Sequence, residues 1–152
     1  MTNSDAPTQA PSPESVVCDY FDRVARHDPT AFDLVAEDFV QHAAGPQGRD
    51  GLRRTAQNLE HDLAQTSIHV LHVVASGALV VVHLVLEGVH HASTMPLLRG
   101  IPINRTKVSW TFMHLFEVHD GLITEHWACR DDLGLLVQLG AWPTSARPRP
   151  PA

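Results

Sequence analysis

The chain is poor in cysteine, and it has no long apolar run. Cys18 and Cys129 are its two cysteines, too few for the disulfide framework of a small secreted domain. The first residues show neither the basic segment nor the apolar core of a signal peptide. The longest apolar stretch, residues 78–86, is interrupted by His83 and is too short to cross a bilayer. We therefore expect a cytoplasmic protein with reduced thiols and no membrane partner.

Positive charge is also scarce. The chain has 11 Lys and Arg against 17 Asp and Glu, which gives a net charge of −6. The adjacent pair Arg53–Arg54 falls on a predicted helix surface, and no basic cluster exists to bind phosphates, so we expect no nucleic-acid partner. Histidine, by contrast, occurs 11 times. Because imidazole titrates near neutral pH, this favours acid–base or polar-pocket roles for a few of these residues, while composition accounts for most.

Composition divides the chain into three parts. Residues 1–12 are rich in Pro, Ser, Thr and Asn, which predicts a disordered leader, and residues 143–152 predict a disordered tail. The remaining residues, 13–142, have a length that suits one compact domain. A hydrophobic content of 43% and a charged content of 18% are globular values.

Helical signals dominate the first half. Ser12 and Pro13 predict the N-cap and first residue of a helix that stops before Asp28–Pro29, and Pro29 opens a short second helix. A third helix is predicted from Asp50 after the loop at 45–48. Helical spacing marks the apolar faces of the first and third helices, namely Val16, Val17, Tyr20, Phe21 and Val24, and Leu52, Ala56, Leu59 and Leu63.

After Gln65 the hydrophobic period changes to two. Strands are predicted over 67–75, 79–92, 107–118 and 122–130, with turns at Gly77 and Asp120–Gly121. The long loop over 95–104 carries apolar residues that could fold over a cavity mouth. Helices followed by an antiparallel meander define an α+β fold, in which a cone-shaped, curved antiparallel or mixed sheet packs on N-terminal helices and encloses an apolar pocket.

Strand alternation separates the two faces of this sheet. In the third of these strands the even positions are large and mostly apolar, whereas Ser109, Thr111 and Glu117 lie on the odd face. The pocket face therefore carries Trp110, Phe112, His114 and Phe116. In the preceding strand Val82, Leu84 and His90 share one face.

Several motifs in a fixed order give the chain a family resemblance. They are Asp38–His42, Gly48–Leu52, Phe116–Gly121, Glu125–His126–Trp127 and the closing Gln138–Leu139–Gly140. Together, over residues 14–142, they resemble the SnoaL-like polyketide cyclases of the nuclear transport factor 2 fold. The resemblance implies a pocket between sheet and helices, no cofactor, a small apolar substrate and a homodimer formed through the outer face of the sheet. It also implies that His114, His126 and Ala128 face the pocket.

The chain departs from this family at two pocket positions. Ala128 stands where the cyclases place an aspartate that exchanges a proton during aldol ring closure, and Phe112 stands where they place a glutamine. Asp131 matches another acidic position of the family and could replace the lost acid. Its alternative role is to cap the last helix, for which Asp132 is the better placed residue.

These considerations give a set of candidate site residues. The predicted catalytic residues are His114, His126 and Asp131. The predicted substrate contacts are Gln41, His42, Val82, Leu84, His90, Trp110, Phe112, Phe116 and Ala128. Each histidine has a structural alternative, which is a core side chain satisfied by one hydrogen bond. His114, His126 and Asp131 could form a two-histidine, one-carboxylate face, but the chain has no tight metal-ligand spacing, so no metal is expected.

Two classes of function follow from this sequence. The first is a cofactor-independent cyclase that closes a ring in an apolar, polyketide-like intermediate of natural-product biosynthesis, with a pericyclic cycloaddition as one form. Its close alternative is an acid–base isomerase or epoxide-opening cyclase. The second class is a small-molecule-binding or scaffold protein without catalysis. A filled cavity with both histidines bonded to the backbone would favour this second class, whereas a cavity open to His114 would favour an enzyme.

Overall fold

The computed structural model describes residues 10–142 of the chain. The predicted leader and tail fall outside this range, apart from residues 10–12. Helix α1 spans Pro13–Ala25, a 3₁₀ helix spans Pro29–Leu34, α2 spans Gly48–Asp62 and α3 spans Asp132–Gln138. The strands are β1 (Val35–Gln41), β2 (Leu63–Ser76), β3 (Leu79–His90), β4 (Lys107–His119) and β5 (Leu122–Arg130).

Local capping sets the bounds of the helices. Ser12 Oγ accepts a hydrogen bond from the Ser15 N–H at 3.1 Å, and the helix begins at Pro13 as predicted. Asp28 caps the 3₁₀ helix in the same way, through the Thr30 N–H at 2.9 Å. At α3 the prediction that Asp132 is the cap is wrong. Asp132 is already the first helical residue, and the Asp131 carboxylate accepts from the Gly134 N–H at 2.9 Å.

The strands form one curved, mixed sheet in the order β1-β5-β4-β3-β2. β1 pairs with β5 in parallel, and the other neighbours are antiparallel. β2 begins at Leu63, directly after α2, rather than at the predicted Ser67. Its alternation is broken between Ala64 and Ser67 by a bulge that includes Gln65 at φ 55°, so the period of two is visible only after this point. The expected α+β architecture is confirmed.

The inner face of the sheet packs on α1, α2 and the 3₁₀ helix. The core that results is apolar, and Trp110, Phe39, Leu63, Leu98 and Ile123 are among its largest fully buried side chains. Leu98 belongs to the loop between β3 and β4, whose Met95, Leu97 and Ile101 also pack on this core. Within the described residues, no helix is long and apolar enough to cross a membrane.

A buried carboxylate holds this loop against the end of α2. Asp62 is fully buried and accepts three hydrogen bonds, from the Thr94 N–H at 2.8 Å, the Thr94 hydroxyl at 2.7 Å and the Met95 N–H at 2.7 Å. At the other end of the loop, Asn104 contacts the fully buried His90 ring. The loop is therefore fastened at both ends.

Candidate functional site

A cavity of about 120 Å³ lies between the helices and the inner face of β2, β3 and β4. Its walls are mostly apolar. The helices contribute Phe21, Val24, Ala25, Ala56 and Leu59, and the strands contribute Thr66, Ile68, Leu84, Leu86 and Phe112. The polar lining consists of His114 and Thr66 on the sheet and of His27 and Glu60 on the helical side. On its sheet side the cavity is therefore apolar except for the His114 imidazole and the Thr66 hydroxyl.

His114 is the first member of a buried hydrogen-bonded chain. Its Nδ1 lies 2.7 Å from His126 Nε2, and His126 Nδ1 lies 2.8 Å from Gln41 Oε1. His126 and Gln41 are 5% and 7% exposed, whereas His114 is partly exposed and lines the cavity. The chain thus runs from the cavity wall into the protein interior.

Sheet topology brings these three residues together. Gln41 ends β1 and lies beside His126 in the parallel β1–β5 pair. His114 and His126 lie on the neighbouring antiparallel strands β4 and β5, where His126 faces Phe116 and His114 faces Ala128 in the register. Because all of these positions point to the inner face of the sheet, three polar side chains that are distant in sequence meet at one point.

Aromatic rings surround the histidine pair. The His114 ring stacks between Phe112 and Phe116, with centroid distances of 5.3 and 5.6 Å, and it contacts Phe21 of α1 at 5.6 Å. His126 stacks on Phe116 at 4.6 Å. These contacts fix both ring planes and leave His126 buried and His114 only partly exposed.

This burial favours the neutral form of both rings. Burial, with smaller contributions from His126 and Arg130, lowers the pKa of His114 to about 3. Burial, and then His42, lowers the pKa of His126 to about 4. Both values lie far below the usual 6.5 of histidine. At neutral pH the pair therefore carries no charge, and it is a weak proton acceptor.

The helical side of the cavity is bounded by a pair of polar side chains. His27 Nδ1 lies 3.0 Å from Glu60 Oε1, and both side chains are about half exposed to solvent. Val24, His27, Ala56 and Glu60 also line a second depression outside the cavity. The His27–Glu60 contact thus borders both the cavity and this outer depression.

The predicted acid Asp131 lies apart from the histidine pair. It is exposed, its carboxylate caps α3, and it is not among the cavity-lining residues. In the described part of the chain no group of three or more His, Cys, Asp or Glu is placed to hold a metal. In these residues His114, His126 and Asp131 are therefore not grouped as a set of metal ligands.

The predicted substrate contacts on β3 and β4 divide into two groups. Leu84 and Phe112 line the cavity. Val82, Trp110 and Phe116 lie on the same face but are only 1%, 1% and 2% exposed, and they belong to the core beneath the cavity. Strand alternation predicted that these residues lie on the inner face of the sheet, but it does not indicate which of them line the cavity.

The remaining predicted contacts also lie away from the cavity. His90 is fully buried, and its ring contacts Asn104 and Ser93 at the base of the loop. Ala128 faces His114 across the strands but is absent from the cavity lining.

His42 and Gln41, which were predicted as substrate contacts, are not among the cavity-lining residues. His42 is on the outer face of the sheet, where it stacks on Trp127 at 4.2 Å and contacts Glu125 at 2.6 Å. Gln41 points inward to His126. Gln41 is the last residue of β1 and His42 follows it, and their two side chains lie on opposite faces of the sheet.

The helical wall of the cavity comes from α1, from His27 just after it and from α2. The loop over 95–104, which was predicted to fold over a cavity mouth, is not among the cavity lining. The helical spacing of Phe21, Val24, Ala56 and Leu59 was the signal that could have found this wall. His27 and Glu60 gave no signal, because their pairing depends on how α1 and α2 pack.

A curved sheet that encloses an apolar cavity against N-terminal helices defines a small α+β protein of the nuclear transport factor 2-like class. The sequence model of the SnoaL-like polyketide cyclase family matches residues 16–139. The chain belongs to this family. A search of curated proteins gave no match.

Solved structures support the same fold. IdmH from Streptomyces antibioticus, assigned as a polyketide cyclase, is 26% identical, with a TM-score of 0.71 over 86% of this chain and 99% of its own. TsrD from Streptomyces laurentii is 23% identical, with a TM-score of 0.73 over 84% of this chain and 93% of its own. AclR from Streptomyces galilaeus, assigned as a hydroxylase, is 18% identical, with a TM-score of 0.75 over 89% of each chain. At 23% and 18% identity, TsrD and AclR bear on the fold alone.

Proposed function

We propose that the protein is a cofactor-independent cyclase that closes a ring in an apolar, polyketide-like intermediate of natural-product biosynthesis. The observation that carries the proposal is the apolar cavity with His114 in its wall. Among the described residues, neither the His114 ring nor the His126 ring bonds to the backbone; the two rings bond to each other, and His126 also bonds to Gln41. By the criterion derived from the sequence, a cavity open to His114 favours an enzyme over a binding protein.

The chemistry that suits this cavity requires little proton transfer. Both histidines are neutral because burial lowers their pKa values to about 3 and about 4, and Ala128 stands where the family places its acid. A cycloaddition or another pericyclic closure forms its bonds without an acid or a base. Holding two reacting ends of one flexible molecule in contact can by itself remove a large part of the barrier, about 7–11 kcal/mol in favourable cases.

The size of the cavity limits what it can enclose. An apolar cavity of about 150 Å³ in another protein holds one benzene molecule. The present cavity, at about 120 Å³, therefore takes a ring-sized portion of a substrate. We propose that the rest of a larger intermediate extends past the His27–Glu60 pair, which borders both the cavity and the outer depression.

An acid–base isomerase or epoxide-opening cyclase is the second candidate. The 2.7 Å separation of His114 Nδ1 and His126 Nε2 favours it, because a proton can pass between nitrogens at that distance. Its weakness is the lowered pKa of both rings, which opposes their protonation at neutral pH.

One experiment separates the candidates. The gene is deleted in its host, the metabolite that accumulates is identified, and the purified protein is then incubated with that metabolite. Formation of a new ring supports the cyclase, and a rearranged product without a new ring supports the isomerase. Binding without conversion identifies a binding protein, and an unchanged metabolite profile together with no binding contradicts all three.

We also propose that the protein works as a cytoplasmic homodimer. An apolar row crosses four strands in register on the outer face of the sheet, from Val74 through Val81 and Leu115 to Trp127. Val74 is 64% exposed, and Leu79 and Met113 beside this row are 41% and 45% exposed. A second copy that lays the same row across this one would bury these side chains, as a two-fold interface does. The free thiols of Cys18 and Cys129 suit a reducing compartment.

A further inference from the structure

We propose that Gln41 fixes the tautomers of both histidines, so that His114 presents the lone pair of its Nε2 to the cavity. The group of the ligand that meets His114 must then be a hydrogen-bond donor, such as a hydroxyl or an enol O–H. The ligand class rests on the function proposed above, whereas the tautomers do not.

The orientation of the Gln41 amide is set by its surroundings. Gln41 Oε1 accepts a hydrogen bond from the Ala43 N–H at 3.3 Å while it contacts His126 Nδ1 at 2.8 Å. Exchanging the amide oxygen and nitrogen would place an NH₂ group against the Ala43 N–H, with donor facing donor. Gln47 also holds the Gln41 backbone, since its Oε1 accepts from the Gln41 N–H and its Nε2 donates to the Gln41 carbonyl, both at 2.8 Å.

The orientation of the Gln41 amide determines the tautomer of His126 and, through it, the tautomer of His114. Because Gln41 Oε1 is an acceptor, His126 Nδ1 must carry the proton and donate it. In a neutral ring the other nitrogen is then an acceptor, so His126 Nε2 accepts from His114 Nδ1–H. The same rule leaves His114 Nε2 with a free lone pair. Burial lowers the pKa of both rings, which keeps them in the neutral form that this argument requires.

The free nitrogen faces the space where a ligand would lie. His114 lines the cavity, and within residues 10–142 its Nε2 has no hydrogen-bond partner and is not a buried unsatisfied atom. The neighbouring rings of Phe21, Phe112 and Phe116 offer no donor. A ligand carbonyl at this point would set one lone pair against another.

Gln41 is a positioning residue in this scheme, and nuclear magnetic resonance tests its role directly. In protein labelled with ¹⁵N-histidine at pH 7, we expect a protonated Nδ1 and a bare Nε2 for both His114 and His126. A protonated Nε2 on His114 in the unmodified protein would overturn the proposal.

Two variants separate positioning from simple packing. Gln41→Glu keeps an acceptor oxygen, so we expect the same tautomers with a raised pKa for His126. Gln41→Leu removes the acceptor, so we expect the single tautomer pattern to be lost. Gln57→Leu, at an exposed position of α2, is the matched control and should leave both rings unchanged. If Gln41 were only a packing residue, the tautomers would be the same in all of these proteins.

Small probes test the ligand class. Phenol offers a donor, and benzaldehyde of similar shape offers only an acceptor. We expect the preference for phenol over benzaldehyde, measured as a ratio of Kd values by calorimetry, to fall by about two- to tenfold in His114→Leu, the range of one net hydrogen bond. If the preference for phenol over benzaldehyde is unchanged in His114→Leu, the proposed ligand class is wrong, but the proposed tautomers are not affected. Failure of both probes to bind would contradict the open cavity and the proposed function as well. The tautomers are tested independently by the nuclear magnetic resonance experiment.

Discussion

Asp131 occupies a position that suggests a catalytic acid by its family resemblance, whereas its contacts show that it caps a helix. Its carboxylate accepts the Gly134 N–H at 2.9 Å and so caps α3, as aspartate and asparagine do at many helix starts. The pair of histidines has Gln41, not an acid, as its buried partner. The two possible roles of Asp131 therefore predict different effects of the same substitutions.

We predict that Asp131→Asn leaves both stability and turnover near those of the unmodified protein, because asparagine caps as well as aspartate. Asp131→Ala should lower the free energy of unfolding by about 1 kcal/mol, the usual worth of such a cap. Urea denaturation and product formation are the measurements. Loss of turnover in Asp131→Asn with unchanged stability would restore a catalytic role for this acid.

Ala56 of α2 offers a way to fill the cavity from its helical wall. We predict that Ala56→Leu abolishes binding of a ring-sized ligand, because the added side chain occupies the space of about 120 Å³. The free energy of unfolding should change by less than about 2 kcal/mol, since the new methyl groups enter empty volume.

Asn58→Leu, at an exposed position of the same helix, is the control for Ala56→Leu. It should bind the ligand normally in the same calorimetric titration. Normal binding by Ala56→Leu would mean that ligands are held elsewhere.

At the scale of elements, the fold was predictable where its signals are local. Ser12 and Pro13 mark the start of α1 in any context, and alternation along β4 gave the face on which His114 lies. The parallel pairing of β1 with β5 joins residues 85 positions apart, Gln41 and His126, and leaves no local pattern. For that reason the sequence predicted Gln41 as a substrate contact but not its contact with His126.

The loop between β3 and β4 is an element whose position depends on one buried side chain. We predict that Asp62→Asn destabilises the protein by about 2–4 kcal/mol, since an amide nitrogen replaces one of the two carboxylate oxygens that together accept from three donors. Thr94→Val removes only the hydroxyl bond and should cost about 1 kcal/mol. Hydrogen exchange of the amides near Thr94 and Met95 should quicken in the first variant far more than in the second. Equal effects of the two would show that the carboxylate charge contributes little.

At the scale of the whole molecule, the histidine pair couples stability to pH. In the unfolded chain both rings have a pKa near 6.5, while in the folded protein burial lowers these values to about 3 and about 4. As pH falls below 6.5, the unfolded state takes up protons that the folded state does not, so stability falls until the folded pKa values are reached. The limiting slope is about 1.4 kcal/mol per pH unit for each histidine.

We predict that His114→Phe flattens the loss of stability between pH 6.5 and pH 4, because one of the two rings no longer titrates on unfolding. Guanidinium denaturation across this range measures the slope. Leu71→Phe, at an exposed position of β2, provides a control that removes no titrating group, and it should leave the slope unchanged. The same slope in all three proteins would contradict the lowered pKa of His114.

Assembly is a second property of the whole molecule. We predict that Val74→Lys converts the proposed homodimer to a monomer, because it places a charge in the exposed apolar row on the outer face of the sheet. Val137→Lys, at an exposed position of α3, is the control and should remain dimeric. Sedimentation velocity over a range of concentrations distinguishes the two. A dimer that tolerates Val74→Lys would place the interface elsewhere, and a monomeric parent protein would remove the homodimer altogether.

The short turn at Asp120–Gly121, where both residues have positive φ values of 50° and 77°, has a consequence for what evolution can change in this protein. It sets which residues of β5 face inward, so that His126 enters the buried chain while Trp127 faces the opposite side. Point substitutions can alter either side independently. Insertion or deletion of one residue in the turn would exchange them, placing an indole inside and an imidazole outside. The length of this turn should therefore resist insertions and deletions more strongly than the identities of most residues that it positions.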